Sequence, residues 1–274
     1  MNRMMRFATA SCLALLTSGA ALAQTTPNVP SLQAPDLGLD LLPGYLKTSD
    51  LPDSLQLLPP PPAEETASLA RDEEARRATV PLRGTARWDL AKRDADLNFP
   101  QPAANFSCAM GISISAENTP HLYTLMRRMF LDVGLSTYGM KNKFHRTRPF
   151  VAHSEATCTP ADEDILRTDG SYPSGHSAVG WGWALALAEI NPERSNELLA
   201  RGLAFGRSRV ICNAHWQSDI EAGRTMAAAT FARLHADSGF VADMKAAREE
   251  ILKERQANKP ASGCDAETAA LAAQ

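Results

Sequence analysis

A periodicity constrains this chain most. Between positions 119 and 133 the apolar residues Leu122, Leu125, Met126, Met129, Phe130 and Val133 recur at intervals of three and four, the spacing that gathers side chains on one face of an α-helix. Thr119-Pro120 opens the run with a capping residue and a proline at the first helical position. Asn191-Pro192 repeats that signal ahead of Leu198, Leu199 and Leu203. Further helices are predicted over 63–80, 175–189, 215–235 and 240–256. The first is a charged, exposed helix, with Glu64, Glu65, Asp72, Glu73 and Glu74 before Arg76 and Arg77, as the helix dipole prefers. Nowhere do apolar and polar residues alternate with the period of two that a half-buried strand needs. The predicted fold is therefore all-α, a compact helical bundle-like single domain.

The ends read differently. Arg3 and Arg6 precede an apolar stretch from Phe7 to Leu22 that closes on Ala21-Leu22-Ala23, the pattern of a secretory signal peptide over 1–23. Positions 24–62 are rich in Pro, Leu, Ser and Asp and finish in four prolines, Pro59 to Pro62. That composition favours extended polyproline geometry and predicts a non-helical arm. The catalytic domain is placed at 63–256, and the small, polar stretch 257–274 is expected to be a loose tail. No later window is apolar for the roughly 18 residues a membrane span requires, so the mature protein is expected to be periplasmic or secreted, with no membrane partner.

Composition excludes one further class. Without Arg3 and Arg6 the chain carries 26 basic residues against 31 acidic ones, and the net charge moves from −3 to −5. No basic run is interleaved with aromatics, so nucleic acid is not a partner. Cys12 leaves with the signal peptide, and Cys108, Cys158, Cys212 and Cys264 remain. An even number in an exported chain suits disulfides, and four cysteines permit three connectivities.

Three short segments carry the chemistry. Lys141 and Arg148 are seven apart, but Pro149 turns Arg148 away from helical geometry, so the two flank a turn. Pro173-Ser174-Gly175-His176 stands before an apolar helical run, where Ser174 and Gly175 offer backbone N–H groups at the positive end of a helix. Ser208-Arg209 precedes His215 and Asp219. A spacing of four puts the last two on one helix face, where the aspartate would hold one ring nitrogen and leave the other free as a nucleophile. Arginine offers a planar fork matched to phosphate oxygens, and a second histidine, His176, is able to protonate a leaving oxygen. Each segment alone has a plain structural explanation, a helix cap or a surface pair. Together they are the parts for holding a phosphate-like dianion and attacking it.

In order, these segments resemble the three-part signature of the phosphatidic-acid-phosphatase type 2 superfamily at every position. The flanks narrow this: 170–176, 57–62, 208–212 and 215–219 resemble the class A bacterial non-specific acid phosphatases, with Ser177 where that family usually has threonine. The resemblance implies a metal-independent, cofactor-free hydrolase of small-molecule phosphate monoesters, and a homodimer or larger assembly. By motif, His215 is the nucleophile that forms a phosphohistidine, Asp219 orients it, and His176 is the general acid. Lys141, Arg148, Ser174, Gly175 and Arg209 bind the phosphoryl oxygens.

Acidic working conditions are expected because His176 must be protonated, and an unperturbed histidine titrates at about 6.5. If Arg148 and Arg209 grip one phosphate, their loops approach, so Cys158 is expected to pair with Cys212, leaving Cys108 and Cys264 for the tail. The alternative activity is a vanadium-dependent haloperoxidase, similar in all three motifs. A non-catalytic phosphate-binding module would not need both histidines. No motif reports on the leaving group; Tyr172, Trp216 and His145 are candidate contacts there.

Overall fold

In the computed structural model the described residues are Met1, 41–257 and 260–273, and those after Met1 lie in one compact unit. The signal-peptide expectation and the first part of the arm, up to position 40, lie outside them. All the regular structure among the described residues is helical: α1 (Ser54–Leu57), α2 (Ala67–Thr79), α3 (Ala86–Ala95), α4 (Gln101–Ala104), α5 (Ser107–Met110), α6 (Pro120–Leu135), α7 (Tyr138–Phe144), α8 (Pro149–Ala152), α9 (Glu163–Thr168), α10 (Gly175–Ile190), α11 (Ser195–Ile211), α12 (Gln217–Leu234), α13 (Ser238–Gln256) and α14 (Cys264–Ala272), with short 3₁₀ turns between some of them. None is long and apolar enough to cross a membrane.

The α6 periodicity is realised in full, since Leu122, Leu125, Met126, Met129, Phe130 and Val133 are all buried. Helix α10 is the middle of the packing and lies against α6, α11 and α12. Its Trp183 is fully buried, donates from Nε1 to the Met126 carbonyl at 2.8 Å, and meets Phe99, Phe106 and Phe205 edge-on. Small residues set the helix spacing there. A Cβ on Gly202 of α11 would come within 2.4 Å of the Ala184 methyl, and one on Gly223 of α12 within 2.5 Å of the Ser174 carbonyl. The close approach at Gly223 holds the first turns of α10 and α12 side by side, where the motif residues lie.

Several expectations are corrected. Helix α2 is not simply an exposed face: Asp72, Arg76 and Thr79 are buried, because α2 lies against α11 and α12. On α11 the inward stripe is Leu198, Arg201, Gly202, Phe205 and Arg209, so Leu203 points outward at 45% exposure. The arm is not free of helix, since Thr48–Asp50 and α1 interrupt it. The tail is not loose. Its α14 buries Ala270, is joined to the domain by Cys108–Cys264 with Cα atoms 5.4 Å apart, and sends Glu267 to Arg201 Nε at 3.0 Å. Cys158 pairs with Cys212, Cα to Cα 4.8 Å.

Candidate active site

Helix α7 ends at His145, whose left-handed backbone (φ 44°) breaks the helix, and α8 restarts at Pro149 with Arg148 as its N-cap. Lys141 and Arg148 thus stand on either side of a turn. Both reach Asp169: Lys141 Nζ donates to its Oδ2 at 3.0 Å and Arg148 Nη2 to the same atom at 2.9 Å. Lys141 Nζ also donates to the Gly170 carbonyl, and Arg148 to the carbonyls of Leu166, Asp169 and Ala214.

Arg209 comes from the last turn of α11, not from a loop before the next helix. It is buried, yet its Nε has no partner among the described residues, and Nη1 has only a 3.9 Å contact with the Cys212 sulfur. Burial, reinforced by repulsion from Arg148, pushes its pKa down to about 9. A buried guanidinium short of acceptors is costly unless an anion supplies them.

His215 does not lie on a helix. It precedes Trp216, the N-cap of α12, so the four-residue spacing to Asp219 works through the cap and not along a helix face. Asp219 is the third helical residue. Its Oδ2 accepts from the Trp216 N–H at 2.8 Å, as a capping residue does, and faces His215 Nδ1 at 3.3 Å. On the far side of the ring Arg148 Nη1 lies 2.9 Å from Nε2. Because an arginine only donates, Nε2 holds a lone pair and Nδ1 the proton, the tautomer a nucleophile requires. Burial, then the charges of Arg148, Lys141 and Arg209, hold His215 well below the usual histidine pKa, so the ring is neutral.

Ser174 is the N-cap of α10. Its Oγ accepts from the Ser177 N–H at 3.2 Å and the Ser177 hydroxyl at 3.0 Å, so the serine at 177 keeps a hydroxyl's work there. The N–H groups of Gly175 and His176 precede the first bond of the helix ladder and form the positive end of α10. His176 Nε2 donates to the Ala95 carbonyl at 3.1 Å, leaving Nδ1 as the nitrogen that gains and loses a proton. Burial, then Arg209, keeps its pKa well below 6.5.

All three motif segments therefore meet around His215. Lys141, Arg148 and Arg209 bring three positive charges, and among the described residues the one carboxylate ion-paired with them is Asp169, a surplus of two in direct pairing that matches a phosphate dianion. Lys141, brought down to about 8 by burial, stays charged at neutral pH and below. The candidate leaving-group contacts have the following surroundings. Tyr172 is buried and donates to the Pro59 carbonyl at 3.0 Å, Trp216 donates from Nε1 to Thr147 at 2.8 Å, and His145 is an exposed helix end. Asp169, Arg146 and Asp72 were missed. Arg146 is one of two further bases between Lys141 and Arg148, the other being Lys143, and Asp72 is one acid among several on its helix, so neither carried a mark of its own.

Fold and site together define a helical oxyanion-binding protein. A family model described as the PAP2 superfamily matches residues 120–240, which contain all eight motif residues. The chain is 40% identical over 243 residues to a non-specific acid phosphatase of Providencia stuartii, covering 88% of this chain and 96% of that one. It is 41% identical to an acid phosphatase of Zymomonas mobilis (74% and 77% covered) and 43% identical to a non-specific acid phosphatase of Salmonella typhimurium (71% and 78%). The chain belongs to the PAP2 superfamily and, within it, to the class A non-specific acid phosphatases.

Proposed function

We propose that this acid phosphatase hydrolyses a broad range of small phosphate monoesters through a covalent phosphohistidine on His215. The observation that carries the reading is a neutral His215, its Nε2 lone pair facing a cradle with two surplus positive charges. Lys141, Arg148, Arg209, the Ser174 hydroxyl and the N–H groups of Gly175 and His176 hold the phosphoryl oxygens. The arginine bonded to Nε2 turns to those oxygens when they arrive. The Nε2 lone pair forms the P–N bond, the bond from phosphorus to the ester oxygen breaks, and His176 Nδ1 gives that oxygen its proton. A water then attacks phosphorus, passes a proton to His176, and releases phosphate from Nε2.

The acidic preference has a different origin from the one an unperturbed His176 suggests. With its pKa held well below 6.5, His176 is neutral in the free protein. The catalytic proton enters with the substrate, whose phosphate has a second pKa of about 6. The dianion left in the cradle then stabilises the histidinium beside it. Positive charge comes from side chains, so turnover needs no metal. The chain acts in the periplasm or outside the cell, as a homo-oligomer. The test is phosphate release from p-nitrophenyl phosphate by the purified protein with a chelator present. Activity that depends on an added divalent metal overturns the mechanism.

A further inference from the structure

Asp219 does not act alone. Its Oδ1 accepts from Arg146 Nη1 at 2.6 Å, and the other end of the same guanidinium, Nη2, donates to Asp72 Oδ2 at 2.7 Å. Asp72 comes from α2, and its other bonds go to the first turn of α12: the Ser218 N–H donates to Oδ1 at 2.7 Å and the Ser218 hydroxyl to Oδ2 at 2.6 Å. The same hydroxyl accepts from Arg146 Nη1 at 2.8 Å, which closes the network. Its charged side chains are nearly out of water, with side-chain exposures of 2% for Asp72, 9% for Arg146 and 0% for Asp219.

Two consequences follow. Mechanically, Asp219 is held from both sides, and its carboxylate plane is fixed before His215 uses it. Electrostatically, one arginine is shared by two carboxylates, so Asp72, Arg146 and Asp219 together carry a charge of minus one. A histidine phosphorylated on Nε2 while Nδ1 keeps its proton carries an imidazolium ring, plus one. Were Arg146 paired with Asp219 alone, the pair would be neutral and would offer that ring little. Asp72 returns the missing charge from a helix outside the three motifs.

We propose that Asp72, acting through Arg146, is a positioning residue that fixes Asp219 and leaves the network one negative charge to stabilise the phosphorylated His215. This rests on the phosphohistidine reading. It predicts a selective defect: the cradle is untouched, so ground-state binding is kept, while charge development on the ring is penalised.

The experiment compares wild type with Asp72→Asn, a near-isosteric change that removes the charge and turns one accepting oxygen into a donor. Steady-state kinetics and rapid acid quench are run on p-nitrophenyl phosphate. Expected are a fall in kcat of about tenfold or more with KM within about threefold, slower build-up of acid-labile phosphoenzyme, and partial recovery of kcat in Asp72→Glu. A purely structural residue would lower the melting temperature without slowing the phosphorylation step of the folded fraction. Wild-type kcat in folded Asp72→Asn, or a loss carried by KM alone, overturns the proposal. If Asp72→Asn does not fold, Ser218→Ala keeps every charge and the direct Arg146–Asp72 bond, and removes the hydroxyl that bridges Asp72 to Arg146 Nη1, the nitrogen that holds Asp219. A smaller fall in kcat alone is then expected, and an unchanged kcat overturns the positioning role. Absence of any acid-labile phosphate in wild type, by contrast, removes the phosphohistidine reading itself.

Discussion

Arg148 Nη1 stands 2.9 Å from His215 Nε2, so the guanidinium proposed to bind phosphate sits on the lone pair proposed to attack phosphorus. One bond does two jobs. It selects the tautomer with the proton on Nδ1, toward Asp219, and it keeps Nε2 from picking up a proton of its own. In the proposed mechanism the nucleophile becomes available when an anion draws the guanidinium away, which would tie activation to substrate binding.

His215→Ala should therefore abolish turnover while sparing the cradle. Wild type quenched in acid is expected to carry an acid-labile phosphate and the variant none. Inorganic phosphate should raise the melting temperature of both. A variant retaining more than a few per cent of activity takes His215 out of the nucleophile's role.

The pH dependence of kcat/KM reports free enzyme and free substrate. Since burial and Arg209 hold His176 well below 6.5, the decline on the alkaline side should follow the substrate's own second ionisation, about 6. Comparing p-nitrophenyl phosphate with an alkyl phosphate of higher second pKa should move the limb with the substrate. A limb at one pH for all substrates assigns it to the protein. On the alkyl ester, His176→Ala should lose more activity than on the nitrophenyl ester, whose leaving group departs with little help.

Stability should run against activity in acid. His176 and His215 both have folded pKa values below the unfolded value of about 6.5. Below that pH the unfolded chain binds more protons than the native one, so stability declines from about pH 6.5 downward, at about 1.4 kcal/mol per unit for each histidine, and is unaffected by them above it. Thermal melts between pH 7.5 and 5 should show the decline, saturating phosphate should reduce it, and the double variant His176→Asn with His215→Asn should flatten it. Equal slopes in the variant and wild type would remove this linkage.

The bridge between Cys108 and Cys264 closes 156 residues; the chain-entropy argument puts its loss at about 5 kcal/mol, against a typical cost of about 2–4 kcal/mol. Replacing both cysteines with serine should lower the melting temperature and leave kcat within about twofold. A large fall in kcat with little change in stability would show that α14 reaches the site, by way of Glu267, Arg201, Asp94 and Ser208.

The all-helical fold and the buried face of α6 were legible in the sequence, because helical periodicity is local, and each segment proposed to bind phosphate is short enough to read as a motif. The pairing of Cys158 with Cys212 was legible as well, since both lie within ten residues of arginines proposed to share a ligand. Only the tertiary structure decided the rest. His215 and Asp219 look like neighbours on a helix face, yet a cap brings them together, and the helix boundary depends on where Trp216 is held by Thr147. Asp72 and Arg146 are 74 positions apart, and Asp72 and Ser218 146 apart. A charge on a helix has no local mark that says whether it meets water or another charge. That is settled by which helix packs over it, and packing also turns two ordinary histidines into neutral ones.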